Sequence, residues 1–403
     1  MRELYEPHGD GCQCQSCTIA LGDLVFDTKF KKIAPTIEAD FLKQVWDKKL
    51  DATTLHPEMF NEHFTRVRGA AMQGYGQHFS RPRSMEEAAL FQKMTQNAAH
   101  FSAAKQQSII EEMRDLMTDA NGNPRTRADW ERVARGVIAR HNGQYLKAEI
   151  GAASASASSA ENWQEYQKRK QVYPNLRYET VGDARVRDEH AALDGAVYPI
   201  DHPFWDKWFP PNGWRCRCIT VQTDDEENQL APEKDPPKGF ANNPGKTGKL
   251  FGDDHPYFSR AKSKDRLFEK ADLLREKMSR EEVESFMAEN AVSKRKTFDL
   301  PGMADKIDLR TRDVKNVLGH PHKNGSAKNE LLYALAHALK NAVLLGSAPN
   351  TDPKKNQTVG WLYFLVEWLD EAFVLNMERI KMPDGSTRIR LYSIKEDNPD
   401  LPE

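Results

Sequence analysis

Through the first half of the chain, apolar residues return every three to four positions, the spacing of one buried helix face. From about Asp23 to Lys170 this predicts mostly helix. Leu90, Met94, Phe101, Ile109, Met113 and Leu116 mark one long stripe. Ser84 and Glu87 open it as an S-x-x-E capping box, and Asn121-Gly122-Asn123-Pro124 closes it. Thr126 with Asp129 repeats the capping logic for a second helix striped by Trp130, Val133, Val137, Ile138, Tyr145 and Leu146. The Ala/Ser run from Gly151 to Ala160 reads as a small-residue helix packed closely on a neighbour, with a flexible break as the alternative.

The period changes after Tyr173. Leu176 to Val181 alternates like a strand, and Ala196 to Ile200 reads as another, with Pro199, Pro203, Pro210, Pro211 and Gly213 punctuating a small turn-rich module. Asp224 to Pro256 is proline-rich and poor in apolar residues, so it reads as a surface tail or linker. A charged helix from Ser259 to Asn290, with only Leu267, Ala271, Leu274 and Met278 as a seam, reads as a spacer. At the end, Asn329 to Gly346 reads as a helix stopped by Gly346. Trp361 to Trp368, Phe373 to Ile380 and Thr387 to Ile394 read as three strands, the last two joined by a Pro383-Asp384-Gly385 turn. The predicted fold class is therefore α+β and multidomain: an arm at 1–22, a domain at 23–225, a tail and spacer at 226–295, and an α+β domain with an antiparallel meander at 296–403.

The length of 403 residues agrees with several units, since domains commonly take about 100 to 200 residues each. Lys plus Arg total 58 against 60 Asp plus Glu, which excludes a surface built throughout to coat nucleic acid and leaves only local basic patches. The longest apolar stretch, Trp361 to Leu369, is interrupted by Glu367 and is too short to cross a bilayer, so no membrane is expected. The opening residues lack a secretory pattern, which points to a cytoplasmic location.

Five cysteines fall in two tight groups: Cys12, Cys14 and Cys17, then Cys216 and Cys218. Such grouping suits metal ligation better than a disulfide framework. Two thiolates and the imidazole of His190 could hold zinc, with His202 or Asp194 as a fourth ligand. The competing reading is that the cysteines pack as small hydrophobes and His190 bonds backbone in a turn-rich core. At the N-terminus, His8 with the three cysteines could form a second zinc knuckle, or a mobile terminus with reduced thiols.

Arg187-Asp188-Glu189-His190-Ala191-Ala192-Leu193-Asp194-Gly195, then Asp201-His202-Pro203-Phe204-Trp205, then Pro210-Pro211-Asn212-Gly213-Trp214-Arg215-Cys216-Arg217-Cys218 form an ordered series, closed by Gly239-Phe240-Ala241-Asn242-Asn243-Pro244-Gly245. This series resembles the phage Mu F-like minor head proteins, the phage head morphogenesis family, over roughly residues 25 to 250. The resemblance implies a minor head protein of a phage or prophage. Such a protein acts in the virion head, at the portal or capsid interior, after assembly in the host cytoplasm. Portal and capsid proteins are its expected partners, together with packaged DNA.

The last domain carries Asp308-Leu309-Arg310-Thr311, Val317 to Lys323, Lys328-Asn329-Glu330, Phe373 to Asn376 and Leu391 to Ile394. It resembles the nuclease-like domains related to barnase, EndoU, colicin E5/D and RelE that are appended to phage head proteins. That resemblance implies RNA as substrate, cleaved by attack of the 2'-hydroxyl on the neighbouring phosphate. The reaction needs proton shuttles and cations facing the phosphorane oxygens. His320 or His322 could move the proton; Lys328, Arg379 or Arg388 could hold the phosphate; Tyr392 or Ser393 could orient it. Against this, the histidines could be ordinary loop residues and the arginines solvated strand residues. Trp361, Tyr363, Phe364 and Trp368 suggest base stacking, but strand core is the better expectation. Two rival readings of the whole chain are a zinc-dependent cytosolic hydrolase, and a purely structural head protein whose last domain is a binding module.

Overall fold

The computed structural model describes residues 33–76, 79, 82–228, 230–290, 296–300, 303, 306–322, 325–333, 335–368 and 371–396. His8, Cys12, Cys14 and Cys17 lie outside the described residues. The architecture is mixed helix and sheet, as expected, in two compact units. One is drawn from residues up to 76 and from 93 to 271, the other from 79–92 and from 272 onward.

The first unit is a helical body carrying a small sheet. Its helices are α1 (Pro35–Trp46), α2 (Pro57–Tyr75), α3 (Met85–Asp115) from Lys93 onward, α4 (Arg127–Arg140) and α5 (Leu146–Arg169). Proline at the first turn starts α1 and α2, where a missing N–H costs nothing. The His56 ring caps α2 by accepting the Met59 N–H, and Thr126 caps α4 by accepting that of Asp129. Phe41, Leu42 and Val45 of α1 pack with Ile109, Ile110 and Met113 of α3 and with Trp130, Val137 and Ile138 of α4. The Ala/Ser run is helical within α5, and its small residues let α2 approach closely. A Cβ on Gly74 would stand 2.0 Å from the Ser154 carbonyl oxygen, so any larger residue there forces the helices apart.

Between α4 and α5 the helical path widens into a π-turn, His141–Tyr145. Beside it lies an ion pair removed from solvent altogether. Lys105 Nζ of α3 is 2.5 Å from Glu149 Oε2 of α5, with both side chains 0 % exposed. Lys105 also donates to the His141 carbonyl at 2.8 Å, and the Tyr257 hydroxyl donates to Glu149 Oε1 at 3.1 Å. Burial pushes the Lys105 pKa down, while the Glu149 carboxylate pulls it back up. His141 Nε2 lies 2.9 Å from Glu112.

The second half of the proline-rich stretch corrects the linker expectation, while its first half, up to about residue 238, is largely exposed as expected. Phe240, Leu250, Phe251, Tyr257 and Phe258 are all buried. The Phe251 ring stacks on Phe101 at 3.8 Å, and its backbone N–H and carbonyl both bond the Asn97 side chain at 3.0 Å. Three anchors within the stretch, with Tyr257 and Phe258 just past its end, escape a composition reading, because the prolines and charges between them lower the average. The segment's short helices are α8 (Pro244–Thr247) and α9 (Pro256–Arg260). The small sheet has β1 (Asn175–Glu179) at its centre, flanked antiparallel by β2 (Val197–Pro199) and β3 (Ile219–Thr223). Two short helices, α6 (Asp188–Ala191) and α7 (Phe204–Lys207), lie between its strands in the chain.

The second unit is a six-stranded sheet in the order β4-β5-β9-β8-β7-β6, antiparallel except where β5 meets β9. Its strands are β4 (Lys296–Asp299), β5 (Lys306–Leu309), β6 (Val343–Pro349), β7 (Thr358–Trp368), β8 (Glu371–Lys381) and β9 (Thr387–Glu396), so the meander of the last three appears where expected. The helix expected to run to Gly346 is shorter. α12 (Gly325–Tyr333), α13 (Leu335–Ala338) and a 3-10 turn at Leu339–Asn341 give way to β6, where Gly346 sits at a bulge instead of a helix stop. Preceding them, α11 (Thr311–Gly319) buries Val314, Val317 and Leu318 in the core with Phe373, Leu375, Ile389 and Leu391 of the sheet. The charged helix α10 (Lys264–Asn290) is more than a spacer. Arg275 is buried in the second unit, donating to Glu330 at 2.7 Å and to Ser326 at 2.5 Å. Among the described residues, no helix is long and apolar enough to cross a membrane.

Replacing Lys105 by Met leaves the Glu149 carboxylate buried without its counter-charge, and should cost about 3–5 kcal/mol in chemical denaturation. Lys105→Met combined with Glu149→Leu should recover most of that loss. A double variant no more stable than the single one would show that the pair is not the source. Burial also depresses the pKa of His63, His141 and His255, the last from 6.5 to about 3. The unfolded chain therefore binds these protons first as pH falls. Stability should be fully present above about pH 6.5 and decline from there toward about pH 3. Melting temperature measured against pH should fall less steeply in His255→Asn, which keeps a capping acceptor for the Tyr257 N–H.

Candidate functional site

The small sheet of the first unit gathers the residues of the long motif series around Tyr178. The loop after β1 is held to it at both ends, by the Tyr178 N–H on the Ala196 carbonyl at 2.8 Å and the Gly195 N–H on the Tyr178 carbonyl at 2.9 Å. Gly195 has a φ of 78°, which explains a glycine at the close of that loop. Asp194 accepts from both the N–H and the hydroxyl of Thr180, at 2.7 and 2.9 Å. Its carboxylate is therefore a turn device. α6 brings His190 inward, 2 % exposed, against the edges of the Tyr178 and Trp208 rings.

The second half of the site comes from the Pro-Pro-Asn-Gly-Trp-Arg-Cys turn. Pro210–Pro211 is a cis peptide, and the Cys216 N–H bonds the Gly213 carbonyl at 3.1 Å. Arg187 ties the halves together by donating to the Trp214 carbonyl at 2.6 Å. A Cβ on Gly213 would lie 3.1 Å from the Arg187 guanidinium, so the glycine leaves room for that arm. Asn212 is fully buried, donating to the Lys207 carbonyl at 3.1 Å and accepting from the Tyr178 hydroxyl at 3.2 Å. Arg217 forms a two-pronged bond with Asp183, both contacts 2.6 Å, which holds the Asp183 carboxyl down to about 2.

Within this frame His190 Nδ1 lies 3.3 Å from Cys218 Sγ and 3.7 Å from Cys216 Sγ. The ligand atoms of all three residues fall within 4.8 Å of one another. Cys216, bonded by the Cys218 thiol, is held well below the usual thiol range, while that bond and burial push Cys218 up. Tyr178, buried beside both sulfurs, is pushed far above an ordinary phenol. His202 takes no part in this group; its ring stacks on Tyr198 at 4.6 Å and its Nδ1 accepts the Phe204 N–H at 3.1 Å. The sequence reading found the three residues together but had no means to choose between His202, Asp194 and no fourth side chain, since that depends on how the turns fold back.

The candidate residues of the second unit divide into two groups. Lys328 is buried, its ammonium donating to the Val317 and His320 carbonyls at the end of α11, at 3.2 and 2.5 Å. Arg388 is buried against Asp313 at 2.5 Å. Both are engaged within the unit, Lys328 by backbone carbonyls and Arg388 by a carboxylate. Arg379 lies on β8 with a buried Nε that has no hydrogen-bond partner, and Ser393 is buried. His322 stacks on Phe373 at 5.0 Å.

His320 and Tyr392, in contrast, come together at 5.4 Å between ring centres. Tyr392 is the extra residue of a bulge in β9, where Leu391 and Ser393 pair with the consecutive Met377 and Asn376. Trp361 meets the Tyr392 ring at 5.0 Å, and Lys355 Nζ stands 4.5 Å from the Trp361 ring and 4.2 Å from that of Tyr392. Burial first, then the positive charges of Lys328, Lys395 and Lys355, push the His320 pKa down. Sequence reasoning missed Lys355 and assigned Trp361 to the core. In β7 the buried positions are Thr358, Gly360, Leu362, Phe364, Val366 and Trp368, and Trp361 faces the other way. Strict alternation through β7 carries that signal once the strand's register is known.

Residues 106–221 match the family described as Phage Mu protein F like protein. The putative capsid assembly protein F of Escherichia phage Mu is 49 % identical over 47 residues, which is 12 % of this chain and 11 % of that protein. The Mu-like prophage FluMu F protein of Haemophilus influenzae is 49 % identical over 45 residues, 11 % of each chain. The matched segment thus spans about a tenth of the length of each relative. No solved structure matches.

Proposed function

We propose, from the Mu F-like character of residues 106–221, that this chain is a head-assembly component of a phage or prophage, working with capsid and portal proteins at the head interior. The observation that carries the proposal is that match, which takes in α4, α5 and the turn-rich module around Tyr178 up to the middle of β3. One of the similar proteins is named for capsid assembly, and the likeness to it supports a head partner here. The near-even balance of 58 cationic and 60 anionic side chains agrees with recognition of protein surfaces in preference to broad coating of DNA.

A second reading applies to the other unit, and the His320–Tyr392–Trp361–Lys355 group is what favours it. A weakly basic imidazole, a cation and two adjacent rings provide a proton carrier, a phosphate partner and stacking surfaces, the elements that cleavage of single-stranded RNA requires. In this reading the unit is an RNase-like effector carried with the head.

In a phage encoding this chain, the protein should co-purify with heads, and deleting its gene should abolish mature heads while leaving lysis intact. Full heads produced at normal yield without it would end the first reading. For the second, purified full-length chain should cleave single-stranded RNA, and His320→Gln should lower the rate by about 10²–10⁴-fold. Intact RNA after prolonged incubation with the unaltered chain would reduce this unit to a binding module.

A further inference from the structure

We propose that His190, Cys216 and Cys218 hold one zinc ion that crosslinks α6 to the start of β3. The argument begins with distances. Zinc–sulfur bonds of about 2.3 Å and zinc–nitrogen bonds of about 2.1 Å at tetrahedral angles separate N from S by roughly 3.5 Å. His190 Nδ1 stands 3.3 and 3.7 Å from the two sulfurs, the edge lengths of such a tetrahedron. Without an ion, these atoms can be satisfied only by sharing protons among two weak sulfur donors and one imidazole. His190 Nε2, buried on the other side of the ring, has no hydrogen-bond partner.

Polar and cationic groups stand around the two sulfurs. The Asn212 N–H points at Cys216, the Tyr178 hydroxyl, which donates to the Asn212 side chain, stands beside Cys218, and the Arg187 guanidinium is near enough to act on Cys218. These are the outer contacts that orient and charge-balance metal-bound sulfur. Two soft sulfurs with one imidazole select zinc over magnesium or calcium, which prefer oxygen. Among the described residues no other His, Cys, Asp or Glu joins the group, so a water molecule fills the fourth position. No carboxylate or second imidazole of the group stands ready as a general base beside that water, and the role that follows is a crosslink. The ion joins residues 28 positions apart across a module whose sheet has only three short strands.

The test uses full-length chain carrying Cys12→Ser, Cys14→Ser and Cys17→Ser, so that only the inner pair supplies thiolates. Purified under reducing conditions, it should contain about one equivalent of zinc. Exchanged with cobalt, it should show the visible bands of tetrahedral geometry and thiolate charge transfer. Chelation should lower the melting temperature, and zinc should restore it. Tyr178→Phe should weaken metal affinity by about 10-fold, with a preserved circular dichroism spectrum. His190→Ala should lose tight binding. Less than about half an equivalent of zinc together with an octahedral cobalt spectrum, in a variant whose circular dichroism spectrum matches that of the unaltered chain, would overturn the proposal. Undiminished affinity in His190→Ala would overturn it as well.

Discussion

The first unit is organised around a charge pair that water does not reach. Lys105 and Glu149 face each other on α3 and α5 with neither side chain exposed, and every other group nearby is arranged by the need to satisfy them. The π-turn brings the His141 carbonyl to the ammonium, and α9 brings the Tyr257 hydroxyl to the carboxylate. A buried pair of this kind adds little net stability over an apolar pair, but breaking it is severe, so it acts chiefly on specificity. Only one register of α3 against α5 puts lysine opposite glutamate. The widened turn between α4 and α5 supplies the carbonyl that this lysine needs.

Much of this was legible in the sequence, for reasons that differ by element. Capping at Ser84 and Thr126 is local chemistry and can be read without a fold. The stripe of Trp130, Val137 and Ile138 is equally local, and all three are core residues. The meander of β7, β8 and β9 appears from alternation. What failed was whatever depends on distant partners. The proline-rich stretch looked like solvent-exposed chain because its anchors are sparse; only the Asn97 and Phe101 side chains, about 150 positions earlier, explain why Phe251 is fixed. Sequence likewise shows the charges of Lys328 and Arg388 and not the carbonyls and carboxylate that engage them.

The candidate sites follow the same division. His190, Cys216 and Cys218 were identifiable by residue type and cluster in the fold, whereas the orientation of His202 toward Tyr198 is set by the turn at Pro203 and carries no signature. In the second unit the opposite holds. Residue types suggested seven participants, and packing retains His320 and Tyr392 in one group while adding Lys355 and Trp361. The bulge that turns Tyr392 out of alternation is a one-residue event in β9, and nothing in Arg388-Ile389-Arg390-Leu391-Tyr392-Ser393 announces it.

The buried stretch around Phe251 bears on where a shortened piece of this chain could end. The family match takes in residues 106–221, yet Phe251 beyond its end stacks on Phe101 ahead of its start, and Tyr257 beyond its end donates to Glu149 within it. Gly74 of α2, also ahead of its start, sits against Ser154 of α5. A fragment cut to the matched residues would uncover both of these faces of the helical body. A shortened chain that keeps the motif in its native setting has to keep the flanks that fill the same space.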